Sequence, residues 1–214
     1  MSDFERPRPT ATALLVIDVQ ESFRRRPYFR PYEVPAFFAA QNRLIDGFAR
    51  LGLPIVRVLH VEDDGMFSPA SGLVRPMDEL AAFEPALRIE KRAHSAMSGT
   101  PLAGWLTGRG IARVAVSGIR TEQCCETTTR DASDRGFQVD FVAEATLTFP
   151  MRHPGGREYS AAEIRERTEL VLAGRFATVV GADQAIARAR SALEAIGATG
   201  ATGAAGAIDD APAA

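Results

Sequence analysis

Cys124 sits six residues past Gly118 in the stretch Val114–Asp131, VAVSGIRTEQCCETTTRD. An apolar run ends at the glycine and a helical pattern follows, which puts the thiol on a helix's first turn with Thr121 as its N-cap. The unpaired N–H groups and the dipole at such an N-terminus favour thiolate over thiol, the state in which a cysteine attacks a carbonyl carbon. The competing reading is a cysteine used as a small buried hydrophobe. Two more reactive groups stand at comparable places. Asp18 closes the apolar run TALLVID, and Lys91 closes LRIEK. Acid, amine and thiol together supply a base, a cation and a nucleophile. Taken singly, Asp18 is also an ordinary turn or cap residue and Lys91 an ordinary surface charge.

Three groups so far apart in the chain need a scaffold that returns its strands to one edge. The runs 12–18, 53–61, 87–91, 112–118, 137–143 and 176–180 read as strands, and the first is apolar without alternation, as a strand buried on both faces must be. Helical patterns fill 34–50, 100–109, 122–135, 161–173 and 183–196. In 34–50, Phe37, Phe38, Leu44, Ile45 and Phe48 fall at helical spacing, with Gly52 as a stop. Thr100-Pro101 reads as an N-cap followed by proline at the first helical position. Strands alternating with helices predict a three-layer α/β/α fold around a mainly parallel sheet of about six strands. Ligands of such sheets bind outside the carboxyl ends of the strands, where Asp18 and Lys91 stand. The connections 19–33, 62–86 and 145–159 read as loops. The first, rich in arginine and aromatic residues, suits either the wall of a pocket for a planar or anionic substrate or an interface patch. Residues 1–10 read as a polar arm, 11–196 as the domain, and 197–214 as a low-complexity tail too poor in large apolar groups to pack.

With 214 residues and a net charge of −2, the chain is large enough for a substantial core and carries no basic footprint for nucleic acid or an anionic membrane. No apolar run approaches membrane-spanning length, and the N-terminus lacks a signal-peptide core. Two adjacent cysteines make no disulfide framework, so a reducing, cytoplasmic setting is expected. His60, beside Glu62, Asp63 and Asp64, raises the question of a metal, but no second histidine neighbours it in sequence. No metal and no cofactor is expected, and His60 reads as structural or pocket-lining.

At this point the residues resemble a known family, the isochorismatase-like cysteine hydrolases, over about residues 12–185. The resemblance is carried by LLVIDVQESF ending at Phe23, by Lys91 with Ser95-Ala96-Met97 and Thr100-Pro101-Leu102, and by GIRTEQCCETTTRDA beginning at Gly118. It implies a Rossmann-like sheet and a catalytic triad of Asp18, Lys91 and Cys124, with Cys125 as core packing. It further implies a cis peptide between Ile119 and Arg120 that turns backbone N–H groups of Arg120 and Cys124 toward an oxyanion. The activity implied is hydrolysis of a C–N bond in a small amide, N-carbamoyl or ureido compound, or cyclic amide, through a thioester. Gln20, Phe23, His60, Arg120, Gln123, Phe149 and Met151 are the expected substrate contacts, and a homodimer or homotetramer the expected assembly.

The departures also speak. Metal-dependent nicotinamidases carry an Asp-x-His motif and a further histidine between the first acid and the lysine, a window in which this chain has only His60. True isochorismatases cleave a vinyl ether and do not need the thiol, so an intact acid–amine–thiol set favours C–N cleavage. Met97 occupies a position where the family often has phenylalanine. A silent binding member of the fold is the other class, with slow iodoacetamide labelling at neutral pH as its expected mark. A redox sensor on Cys124-Cys125 is disfavoured, because adjacent cysteines form only strained disulfides.

Overall fold

The structure is a computed structural model and describes residues 11–204. The expected arm, 1–10, and the last ten residues of the expected tail lie outside the described residues. The first strand, β1 (Thr12–Ile17), is buried at every position. That burial follows from its place near the middle of a six-stranded sheet. In chain order come α1 (Val34–Arg50), β2 (Ile55–His60), β3 (Leu87–Lys91), α2 (Leu102–Thr107), β4 (Arg113–Ile119), α3 (Glu126–Asp134) and β5 (Gln138–Leu147). Then follow the short strands β6 (Met151–Arg152) and β7 (Glu158–Tyr159), α4 (Ala161–Leu172), β8 (Thr178–Val180) and α5 (Ala182–Ala204). The sheet order is β3-β2-β1-β4-β5-β8, and every neighbouring pair is parallel.

Alternation along β1 builds two cores. Leu14 and Val16 face Phe37, Leu44, Phe48 and Ala185, beneath α1 and α5. Leu15 and Ile17 face Leu102, Leu106, Cys125, Ala132 and Leu172, beneath α2, α3 and α4. The three layers expected from the sequence are therefore present, with a buried side chain such as Phe48 contributing about 1.5–3 kcal/mol of hydrophobic stabilisation.

Several boundaries differ from the sequence reading. The stretch 19–33 contains two single 3-10 turns, Glu21–Arg25 and Pro31–Glu33. β5 runs on to Leu147, and 145–159 holds the antiparallel β6–β7 pair instead of a plain loop. The expected 122–135 helix begins as a π-helical turn, Thr121–Cys125, before α3. Thr121 is not its cap: the hydroxyl is buried and donates to Thr146 Oγ1 at 2.9 Å, tying the turn to β5. α5 continues eight residues past Ile196, through the Gly-Ala-Thr stretch 197–204, so the helix does not stop where the large apolar residues do. α4 carries a capping box, Ser160 with Glu163.

The sheet register sets the site. Ile17 pairs with Val58 on one side and Gly118 on the other, while His60 pairs with Lys91. The ends of β1, β2, β3 and β4 thus lie side by side. Gly118 has φ +128°, and a Cβ there would stand 1.9 Å from the Ile17 carbonyl oxygen. Only glycine lets β4 pass so close to the end of β1.

Candidate active site

Asp18 follows the last residue of β1 with φ +52°, a left-handed conformation that aspartate tolerates better than most residues. This turn aims a fully buried carboxylate across the strand ends. Lys91, the last residue of β3, brings its ammonium to 2.8 Å from Asp18 Oδ2 and 3.3 Å from Cys124 Sγ. Lys91 is 1% exposed and Cys124 6%. The same ammonium donates to the Ala93 carbonyl at 3.1 Å and meets His60 Nδ1 at 3.3 Å. Acid, amine and thiol, separated by 106 positions from first to last, share one buried point at the carboxyl edge of the sheet.

The electrostatics describe a neutral resting site. Burial acts against the charged form of Lys91, but the Asp18 carboxylate and the Cys124 sulfur hold its pKa above the ordinary lysine value. The Cys124 thiol is pushed up to about 12, first by burial and then by the Asp18 charge, with Lys91 offsetting part. This corrects the expectation that the helix start leaves a resting thiolate. It also removes slow iodoacetamide labelling as a mark of a silent protein, because the resting thiol keeps its proton. Burial and then the Lys91 charge lower the His60 pKa. A neutral imidazole whose Nδ1 faces an ammonium presents a lone pair there, so its proton sits on Nε2, 3.5 Å from Glu62.

The other expected contacts separate into groups. Gln20 is fully buried and its amide is taken up: Nε2 donates to the His60 carbonyl and to Ser22, and Oε1 accepts from the His60 N–H. It clamps β1 to β2 and offers no exposed atom to a ligand, contrary to the sequence expectation. Met151 lies on the exposed β6 strand, paired with Tyr159. Phe23 packs edge-on against Phe67, whose ring in turn meets His60. Phe149 is buried under Tyr28 and Phe29. Gln123 is half-buried within the π-helical turn. The Ile119–Arg120 peptide is cis. Cys125 is fully buried in the α2–α4 core, and burial raises its pKa well above the ordinary value.

Other residues shape the site without having been singled out from the sequence. Glu122 joins Arg120 at 2.8 Å and accepts from the Thr148 hydroxyl at 2.6 Å, fixing the Arg120 guanidinium against the Tyr28 ring. The pair Arg120-x-Glu122 was visible in the sequence, but i,i+2 spacing gives no contact on a regular helix. Asp131 accepts from Ser95 and Ser98, and Thr128 accepts from the Ala96 N–H, docking the segment after Lys91 on α3. His94 approaches His60 to 6.2 Å between ring centroids, a neighbour the sequence spacing did not suggest. Among the described residues, no group of three or more His, Cys, Asp or Glu side chains is placed to hold a metal ion. No helix among them is long and apolar enough to cross a membrane.

Comparison with known proteins places this arrangement. Residues 12–184 match the family model described as the isochorismatase domain. An uncharacterized isochorismatase family protein, YrdC of Bacillus subtilis, is 29% identical over 184 residues, spanning 81% of this chain and 94% of that one. Nicotinamidase 3 of Arabidopsis thaliana is 31% identical over 194 residues, spanning 83% and 88%. The crystal structure of a Burkholderia xenovorans protein assigned to the isochorismatases superimposes with a TM-score of 0.78 at 31% identity, over 86% of this chain and 89% of that one. The family match runs from the first strand into the last helix and takes in all the strand ends described above, so the chain belongs to the isochorismatase family and, with it, to the hydrolases.

Proposed function

We propose that the chain hydrolyses a C–N bond of a small amide, N-carbamoyl or ureido compound, or cyclic amide through a thioester on Cys124. The observation that carries this reading is the buried Lys91 ammonium shared between Asp18 at 2.8 Å and Cys124 at 3.3 Å. A thiol held up to about 12 does not ionise into neutral solvent, but it needs only to pass its proton to the adjacent carboxylate. That transfer keeps the charge of the site unchanged. Lys91 then steadies the thiolate as it forms.

The thiolate attacks the substrate carbonyl, and the oxyanion sits on the backbone N–H groups of Arg120 and Cys124 at the start of the helical turn. Asp18 returns its proton to the departing nitrogen, which leaves as ammonia or an amine, and the acyl group remains on sulfur. Asp18 next takes a proton from water as hydroxide attacks the thioester; the acid departs and the thiolate recovers its proton. A relative named nicotinamidase supports the amide class. Retention of the thiol with both partners favours C–N over vinyl ether cleavage.

The test is an ammonia-release screen over small primary amides and ureides. Cys124→Ala and Asp18→Asn are expected to abolish release from any compound the native chain turns over, with unchanged circular dichroism. Undiminished turnover in Cys124→Ala would overturn the mechanism, and so would absence of release across the whole panel.

A further inference from the structure

The arginine-rich stretch 19–33 folds over the site, and its cations are not equivalent. Arg24 pairs with Glu21 and Glu79. Arg30 donates to the carbonyls of Pro27 and Phe29. Arg120, which also lies over the Tyr28 ring, is answered by Glu122. The Arg26 side chain is exposed and meets no carboxylate or carbonyl among the described residues. It rests instead on two aromatic faces, 5.5 Å from the Tyr28 ring centroid and 5.9 Å from that of Phe67.

Those rings belong to the wall of the site. Phe67 stands edge-on to His60 at 5.7 Å, and His60 touches Lys91. Tyr28 covers Arg120 and Phe149. Three carboxylates near them already have partners: Glu62 with His60, Asp63 with Arg92, Glu122 with Arg120. A guanidinium stacked on two rings is pre-oriented and keeps its fork of N–H donors free for a planar anion.

The geometry points to a substrate that carries an anionic group, a carboxylate in the simplest case, held by Arg26 between Tyr28 and Phe67 while the scissile bond lies at Cys124. The place of the scissile bond rests on the hydrolase reading above. Arg26 is then a specificity-determining residue, and neutral amides of the same size are the poorer substrates. Bidentate guanidinium–carboxylate contact supplies both the attraction and the orientation.

Iodoacetate and iodoacetamide make a matched pair of probes that need no knowledge of the substrate. Each forms an S–C bond at Cys124 and expels iodide, and they differ in charge. Alkylation near pH 9 is followed by mass spectrometry at Cys124 in the native chain, Arg26→Gln, Arg26→Lys and, as a control, Arg25→Gln. Arg26→Gln is expected to slow iodoacetate about tenfold, the size of one charge-assisted contact, while iodoacetamide changes less than about twofold. Arg26→Lys should keep part of the iodoacetate rate, and Arg25→Gln should alter neither reagent. Equal slowing of both reagents by Arg26→Gln, or slowing of neither, overturns the inference.

Ammonia release from succinamate and succinamide is measured alongside, with a rise in KM for succinamate alone expected in Arg26→Gln. Absence of ammonia release across the whole panel of amides and ureides, together with a moving reagent ratio, would strike the hydrolase reading and leave the anion-binding mouth standing. Turnover of both amides with an unmoved ratio would do the reverse.

Discussion

Asp18 plays two opposed parts toward Cys124. Its charge, added to burial, keeps the thiol protonated up to about 12, yet it is also the group proposed to remove that proton. Asp18→Asn separates the two. Without the carboxylate, the Lys91 charge 3.3 Å from the sulfur is no longer shared, so the thiol pKa falls and iodoacetamide labels Cys124 faster at a given pH. Turnover is nonetheless expected to vanish, because no base remains to accept the proton and return it to the leaving nitrogen. Labelling rate and ammonia release measured on one preparation check this, and a variant that labels more slowly than native would refute the charge assignment. Lys91→Ala removes the other half of the pair. Like Asp18→Asn, it leaves a buried group without its counter-ion, a change that costs about 3–5 kcal/mol in stability, so circular dichroism and a urea midpoint accompany both activity measurements.

At the level of elements, everything depends on how closely β1 and β4 approach. Gly118→Ala would place a Cβ 1.9 Å from the Ile17 carbonyl at φ +128°, with backbone as the obstacle. Relief requires the end of β4 to withdraw from β1, carrying the π-helical turn and Cys124 away from Asp18. The expected outcome is a loss of at least ~1–3 kcal/mol in urea denaturation together with loss of ammonia release. Native turnover in that variant would show that the strand ends tolerate separation. The central strands were legible in the sequence because burial on both faces leaves uninterrupted apolar runs ending in Asp18 and Gly118. The π-helical turn was not, since its composition is that of an α-helix. The extension of β5 was hidden by the polar Glu144, which leans out to accept from the Ala182 N–H at the start of α5. Loop 19–33 showed its arginines and aromatics in the sequence, but nothing there distinguished Arg24, tied to Glu79, from Arg26, tied to nothing anionic among the described residues.

Over the whole molecule, burying the site restricts the pH range in which the fold is stable. Cys124 and Cys125 have pKa values raised by burial, and Lys91 is held above the ordinary value despite its burial. Unfolded thiols lose their protons near ~8.5 and lysines near ~10.4, so above ~8.5 the unfolded chain releases protons that the folded chain retains. For a group with a raised folded pKa, its stability contribution is complete below the unfolded value and is lost as pH climbs. His60 acts at the other end. Its folded pKa lies below the ordinary value, so the unfolded chain gains protons first as pH falls through ~6.5, and stability drops there too. Urea midpoints measured from pH 5 to 11 should form a plateau between these limits. The double variant Cys124→Ala/Cys125→Ala removes both thiol contributions, so above ~8.5 its midpoint should fall less steeply than that of the native chain, whatever its starting stability. Parallel slopes in that range would mean that the thiols ionise as freely in the fold as out of it. The proton transfer proposed between Cys124 and Asp18 would then have no buried thiol to begin from.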